Sequence, residues 1–212
     1  MKFKYLVRSA LCLAGAALVA CGHKPAAQTV EPTAPLPTAG LSGQQVIVPP
    51  LTLVAAEDSL HWEAALGDRH ASLARADSTI GALLQTRAPE VTWVLPPELR
   101  RVSRRAPGIA TDPDQMGTAV LRARGLTIIP DPLRSQLRTL AALAGGGGLA
   151  LVPAALIYRR TAGHPGGTAE LTLVLADVRT GQVGWHTTAT GDGNDPWTAL
   201  THAVKGLTPG LP

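Results

Sequence analysis

The apolar positions of this chain come in short runs whose spacing alternates between that of strands and that of helices. Gln45-Val46-Ile47-Val48 predicts a short strand, and Leu51-Thr52-Leu53-Val54 continues it or begins a second piece beyond Pro49-Pro50. From Ala71 to Thr86, Leu73, Ile80, Leu83 and Leu84 recur on one helical face, with Arg75 and Asp77 off that stripe. Val91-Thr92-Trp93-Val94-Leu95 reads as a strand between Pro89 and Pro96-Pro97. Pro97 opens a short basic helix that Pro107-Gly108 ends. Gln115 to Arg122 predicts a short helix and Leu126 to Ile129 a short strand.

The second half is more strongly patterned. Pro132 to Ala144 predicts a helix with Asp131 as its cap and Leu133, Leu137, Leu140, Ala141 and Ala144 as its apolar stripe. Gly145-Gly146-Gly147-Gly148 stops it. Leu149 to Arg159 is strand-like, with Pro153 as an interruption or edge feature. Glu170 to Asp177 and Gln182 to Thr190 predict a hairpin turned at Arg179-Thr180-Gly181. Asp195 caps, and Pro196 opens, a last helix whose face is Trp197, Leu200, Ala203, Val204 and Leu207. No internal repeat is visible. The pattern predicts one α/β domain over 44–212: a mixed sheet with packed helices, and a C-terminal β-hairpin followed by a closing helix.

The N-terminal pattern is of another kind. Lys2, Lys4 and Arg8 precede an apolar run from Ser9 to Ala20, too short for a permanent span, which needs roughly 20 apolar residues. That layout reads as a secretory signal over residues 1–20. Leu18-Val19-Ala20-Cys21 resembles the bacterial lipobox, which implies cleavage before Cys21 and a diacylglycerol on its sulfur, with palmitate among the acyl chains. Cys21 is the lipid-attachment site expected here. Gly22 stands where an Asp would direct retention at the inner membrane, so the expected place is the periplasmic face of the outer membrane. From residue 21 to 43 the chain is rich in Pro, Ala, Thr and Gly, which reads as an extended tether.

Processing changes two compositional readings. The formal charge of +4 includes Lys2, Lys4 and Arg8, so removal of the signal leaves 4 − 3 = +1. A nucleic-acid partner is therefore not expected, and the run Leu99 to Arg105 reads as a solvated helix face. Cys12 would leave with the signal, so no disulfide can form within the mature chain.

Candidate chemistry is sparse. The four glycines follow a helix instead of preceding one and have no Lys-Ser or Lys-Thr after them, so they do not form a phosphate loop. His23, His61, His70, His164, His186 and His202 have no i, i+4 pair and no Cys partner, so no metal site is expected. No serine lies in a Gly-x-Ser-x-Gly elbow. Gly191-Asp192-Gly193-Asn194-Asp195 lacks calcium-loop spacing and reads as a turn. Trp62, Trp93, Trp185 and Trp197 read as core or hairpin packing, unless one is exposed as a contact. The expectation is no catalytic residues and no cofactor. The alternative is a ligand-binding or hydrolytic site assembled from dispersed His, Asp and Arg residues.

One larger resemblance rests on the C-terminal half. Leu149 to Tyr158 precedes Leu171-Thr172-Leu173-Val174-Leu175-Ala176-Asp177, a Thr180-Gly181 turn, and Gln182-Val183-Gly184-Trp185; then Asp195-Pro196-Trp197 opens a terminal helix. This resembles the CsgG/LpoB/TolB-N-terminal group of bacterial envelope lipoproteins and periplasmic domains, whose first strand Val46-Ile47-Val48-Pro49-Pro50-Leu51 also resembles. The resemblance implies helices against a mixed sheet and a non-catalytic accessory role with a protein partner in the envelope. A secretion pore is not expected, because no long amphipathic hairpins are present.

Overall fold

In the computed structural model, the described residues, 33–161 and 165–208, form one six-stranded mixed sheet with helices on both faces. The strands are β1 (Gln45–Ile47), β2 (Val54–Ala56), β3 (Thr92–Val94), β4 (Leu149–Arg160), β5 (Gly167–Asp177) and β6 (Val183–Gly193). Their order is β3-β1-β4-β5-β6. β1 lies parallel between β3 and β4, while β4, β5 and β6 run antiparallel. β2 pairs in parallel with the far end of β4, opposite Leu156 to Tyr158.

Strand parity sorts side chains into two cores. Val46, Leu171 and Leu173 pack beneath α3 (Arg69–Arg87) and α6 (Pro196–Leu207), against Ile80, Leu84, Leu200 and Val204. Ile47, Val152 and Val174 face α4 (Pro96–Arg105) and α5 (Leu133–Leu143), against Leu99, Leu137 and Leu140. Along β4 the parity changes. Ala150, Val152 and Ala154 belong to the second core, whereas Leu156 and Tyr158 belong to the first. The register shift between Pro153 and Ala155 produces this reversal. A bulge is where a proline, lacking an N–H, costs a central strand least.

The closing helix sits unusually near its strand. Asp195 caps α6 through Oδ1, which accepts from Trp197 N at 3.0 Å and Thr198 N at 3.1 Å. Gly191 and Gly193, read from sequence as part of a turn, are strand residues of β6. A Cβ on Gly191 would lie 2.1 Å from Ala203 N. The two glycines therefore let helix backbone meet strand backbone.

Several sequence expectations are corrected. Leu51 to Leu53 is not strand; the Leu51 N–H donates to Asp77 Oδ1 at 2.8 Å, outside any ladder. Residues 115–122 give two 3-10 turns, Pro113–Gln115 and Thr118–Arg122, because extended Met116 interrupts them. Leu126 to Ile129 contributes a single bridge, Ile128 to Gln182. Asp131 does not cap α5: Pro132 takes the cap position, and the Asp131 carboxylate pairs with Arg134.

The packed chain also begins before Gln44. Ala34 N donates to Thr187 Oγ1 at 3.0 Å, and Leu36 N to Leu207 O at 2.7 Å. A four-residue helix, α1 (Thr38–Leu41), follows. Leu36 and Leu41 are buried, at 5% and 3% exposure. They are the two large apolar residues of residues 33–43, which are otherwise Pro, Ala, Thr, Gly and Ser, and both enter the first core. The signal region, Cys21 and residues up to 32 lie outside the described residues.

Candidate functional site

Two places concentrate polar groups that no strand or helix ladder consumes. The first is a groove of ≈ 320 Å³ along β2. In the parallel pairing with β4, Leu53 O accepts from Leu156 N, and Glu57 N donates to Tyr158 O. With the register Val54 to Leu156 and Ala56 to Tyr158, the odd-numbered residues of β2 spend their amides on β4. The N–H and C=O of Val54 and Ala56 therefore point the other way, into the groove.

The opposite wall comes from a short connection. α2 (Glu63–Leu66) ends at Gly67, whose φ of 71° turns the chain into Asp68, the cap of α3. Ser72 Oγ donates to Leu66 O at 2.8 Å, and Arg69 Nη2 donates to Thr52 O at 2.7 Å, which locks this wall to the strand below it. Trp62 forms the apolar floor; it meets Tyr158 edge to face, with centroids 5.4 Å apart. Leu66 is half-buried beside it.

Carboxylates rim the groove. Glu57 accepts from Arg160 N at 2.9 Å and from Arg159 Nη1 at 3.3 Å. The Arg160 N–H, with Arg159, holds the Glu57 carboxyl below the usual range. Asp58 and Glu63 are exposed and form no ion pair among the described residues. The arrangement offers backbone donors and acceptors, an apolar floor and acidic edges. Its lining, Val54 to Asp58, Trp62, Glu63, Leu66, Gly67, Arg69 and Ser72, holds no paired nucleophile and base.

The second place is a charged clamp between helices. Asp77 on α3 is buried and accepts from Leu51 N and, at 2.8 Å, from Arg100 Nη2 on α4. Arg100 also forks onto Asp114, with Nε to Oδ2 at 2.8 Å and Nη2 to Oδ1 at 2.7 Å. Burial pushes Asp77 up to about 6, against the Leu51 N–H and Arg100, which favour its ionised form. Asp114 first, and then Asp77, hold the Arg100 guanidinium above its usual range. The clamp ties α3, α4 and the chain entering β2. Sequence pattern placed Asp77 off the helix stripe and Arg100 in a solvated basic face, so both were misread.

The other sequence candidates stay apart. His186 Nε2 lies 3.1 Å from Leu121 O, and His202 Nδ1 lies 2.7 Å from Asp192 O, on different elements. His61 and His70 are exposed. Among the described residues no three His, Cys, Asp or Glu side chains are grouped to hold a metal ion. Gly145 and Gly146 take φ of 111° and 84° and end α5 as a helix stop. Arg101 pairs with Glu98, while Arg104 and Arg105 are exposed on α4. Trp62 is buried and the other three tryptophans are partly buried. Trp197 carries the Arg75 guanidinium 4.4 Å above its ring and donates through Nε1 to Ala65 O. No residue of the groove was singled out for binding from sequence. A three-residue strand followed by Glu57-Asp58 and Trp62-Glu63 is the only signal there, and it is faint.

No family model matches the chain, and no curated protein matches it. Among solved structures, the chain is similar to the LpoB C-terminal domain from Escherichia coli at a TM-score of 0.42 and 17% identity, covering 71% of this chain and 83% of that one. The LpoB C-terminal domain from Salmonella enterica gives 0.40 and 15%, covering 70% and 82%. The PelC dodecamer from Paraburkholderia phytofirmans gives 0.38 and 14%, covering 84% of this chain and 92% of that one. At such identities these are likenesses of fold alone. No helix among the described residues is long and apolar enough to cross a membrane.

Proposed function

We propose that this chain is a lipid-anchored accessory module of the bacterial envelope that works by binding a protein partner and performs no catalysis. The observation that carries the reading is Leu18-Val19-Ala20-Cys21 at the end of a short apolar run behind Lys2, Lys4 and Arg8. Lipid on Cys21 holds the chain at the periplasmic face of the outer membrane. The C-terminal strand, Thr-Gly turn, strand and Asp195-Pro196-Trp197 pattern, which resembles envelope accessory lipoproteins, supports a role in binding. So does the β2 groove, whose polar groups suit a protein segment better than a reaction.

The reach of such an anchor follows from where packing begins. Gly22 to Pro32 is eleven residues, which span roughly 34 Å as polyproline at about 3.1 Å each. The domain then works near the membrane surface, within about one protein diameter of it.

Replacing Cys21 by Ser tests the anchor. Membrane fractionation with fatty-acid labelling should show the wild-type chain labelled and sedimenting with membranes, and the variant unlabelled and released. A variant that still sediments, or a labelled variant, refutes lipidation at this residue. Crosslinking of the anchored wild type should enrich an envelope protein. Turnover of a generic ester or peptide substrate by the purified chain would overturn the non-catalytic reading.

A further inference from the structure

The sheet treats its edges unequally. Strand edges invite pairing with other chains, so folded proteins usually cover them. The outer edge of β6 is covered. Val183 N donates to Thr127 O, Ile129 N donates to Gly181 O, and Thr33 and Ala34 lie against Thr187, Thr188 and Thr190. Among the described residues β2 has no such cover along Val54 to Ala56, although Arg69 closes the edge one step earlier at Thr52 O. The open stretch has a wall, an apolar floor at Trp62 and Leu66, and exposed carboxylates at Asp58 and Glu63.

We propose that β2 receives an extended segment of a partner protein as an added strand, and that this segment alternates small apolar and basic residues. Val54 and Ala56 supply two N–H and two C=O groups, enough to fix an incoming backbone in register. Alternation follows from strand geometry: one side of the guest lies on Trp62 and Leu66, and the other faces out. Basic residues follow from charge. Of the charged residues lining the groove, Glu57, Asp58 and Glu63 are acidic and Arg69 is basic. Glu57 is occupied by Arg159 and Arg160 and Arg69 by Thr52, so Asp58 and Glu63 set the sign that a guest meets. The small volume limits the apolar side to residues of about valine size. The inference rests on the accessory-module reading and names the surface and partner chemistry that reading leaves open.

The test uses the full chain in neutral detergent and a fluorescent, end-blocked peptide of five Lys-Val repeats, with five Glu-Val repeats as the control. Anisotropy should show the Lys-Val peptide binding at least about tenfold more tightly, with affinity falling as salt rises. Hydrogen exchange should slow at residues 53–57 on binding, because the Val54 and Ala56 amides become paired. Glu63→Lys should weaken binding several-fold. Ala56→Pro removes an outward N–H and should weaken it about tenfold. Should that variant fail to fold, N-methylation of alternate peptide amides gives the same readout on the guest side: methylating one alternate set abolishes binding and methylating the other does not. Equal binding of both methylated peptides, equal binding of the Glu-Val peptide, or protection confined to another element overturns the proposal. The two readings fail separately. Retention of the Cys21→Ser chain on membranes sinks the anchor and leaves this site standing, whereas loss of peptide binding sinks this site and leaves the anchor.

Discussion

Asp77 shows how a residue in a helix comes to carry a pH dependence. It is buried, with its carboxylate between Leu51 N and Arg100. Burial raises it from 3.8 to about 6 in the folded chain. Between about pH 4 and pH 6 the folded chain holds a proton that the unfolded chain has released. Folded stability therefore rises as pH falls through about 6 and gains nothing further below the unfolded value. The limit of the effect is about 3 kcal/mol for a shift of roughly two units. Glu57 and Asp195 act with the opposite sign. The Arg160 N–H lowers the first and the Thr198 hydroxyl the second, so their contributions are present above the unfolded value and are lost as pH falls through the folded one. The expected result is that the urea midpoint of wild type, relative to Asp77→Asn, is higher at pH 5 than at pH 7. An unchanged difference between the two proteins across that range would refute the assignment. The helical stripe of Leu73, Ile80, Leu83 and Leu84 puts Asp77 off the apolar face, so the pattern gives no sign of its burial. The face that is buried, Ser72, Ala76, Asp77, Ile80, Gly81 and Leu84, is built largely from small and polar residues that a hydrophobic pattern does not register. Gly81 shows why small residues serve there: a Cβ would meet Leu95 Cδ1 at 2.9 Å.

At the scale of elements, legibility followed length and contrast. The long strands β4, β5 and β6 and helices α3, α5 and α6 were readable, since each repeats its period several times. β2 was misplaced by a few residues. Its neighbours Leu51 and Leu53 look like strand, yet Asp77 takes the Leu51 N–H from any ladder. The groove was illegible for the same reason, since it consists of unused amides on a three-residue strand. The contact of α6 with β6 was also hidden, because a Gly-Asp-Gly stretch signals a turn in isolation. Here its glycines are set by the approaching helix. Gly191→Ala would place a Cβ 2.1 Å from Ala203 N and 2.6 Å from Ala199 O. Neither atom can swing aside, so the loss should reach about 3 kcal/mol, the upper part of the overpacking range. Gly184→Ala on the same strand meets nothing nearer than Leu175 O at 3.9 Å and should change stability by no more than about 0.5 kcal/mol. Urea unfolding of both variants checks the pair; equal losses would mean that the close approach is not what the glycine serves.

At the scale of the whole molecule, the point where packing begins decides how much of the N-terminal segment supports the fold. Composition placed it at Gln44, because Pro, Ala and Thr dominate the residues before it. Two leucines are enough to move it. Leu36 and Leu41 are buried in the core beneath α3 and α6, and Leu36 N is bonded to Leu207 O at the end of the closing helix. Thr33 and Ala34 add side-chain hydrogen bonds along β6. Residues 33–43 thus join the first strand to the last helix and shelter the β6 edge. Burying a leucine contributes about 1.5–3 kcal/mol, so removing both should cost roughly 3–6 kcal/mol, a large share of the 5–15 kcal/mol typical of a domain. A chain beginning at Gln44 should accordingly unfold at a much lower urea concentration than one beginning at Pro32, and its β6 amides should exchange faster. Equal midpoints would mean that residues 33–43 add nothing to the stability of the domain. A lower midpoint makes residues 33–43 part of the domain, with Thr33 and Ala34 held against the β6 edge, on the far side of β4 and β5 from β2, so that the domain's first described residues cover one flank of the sheet while the β2 groove lies on the other.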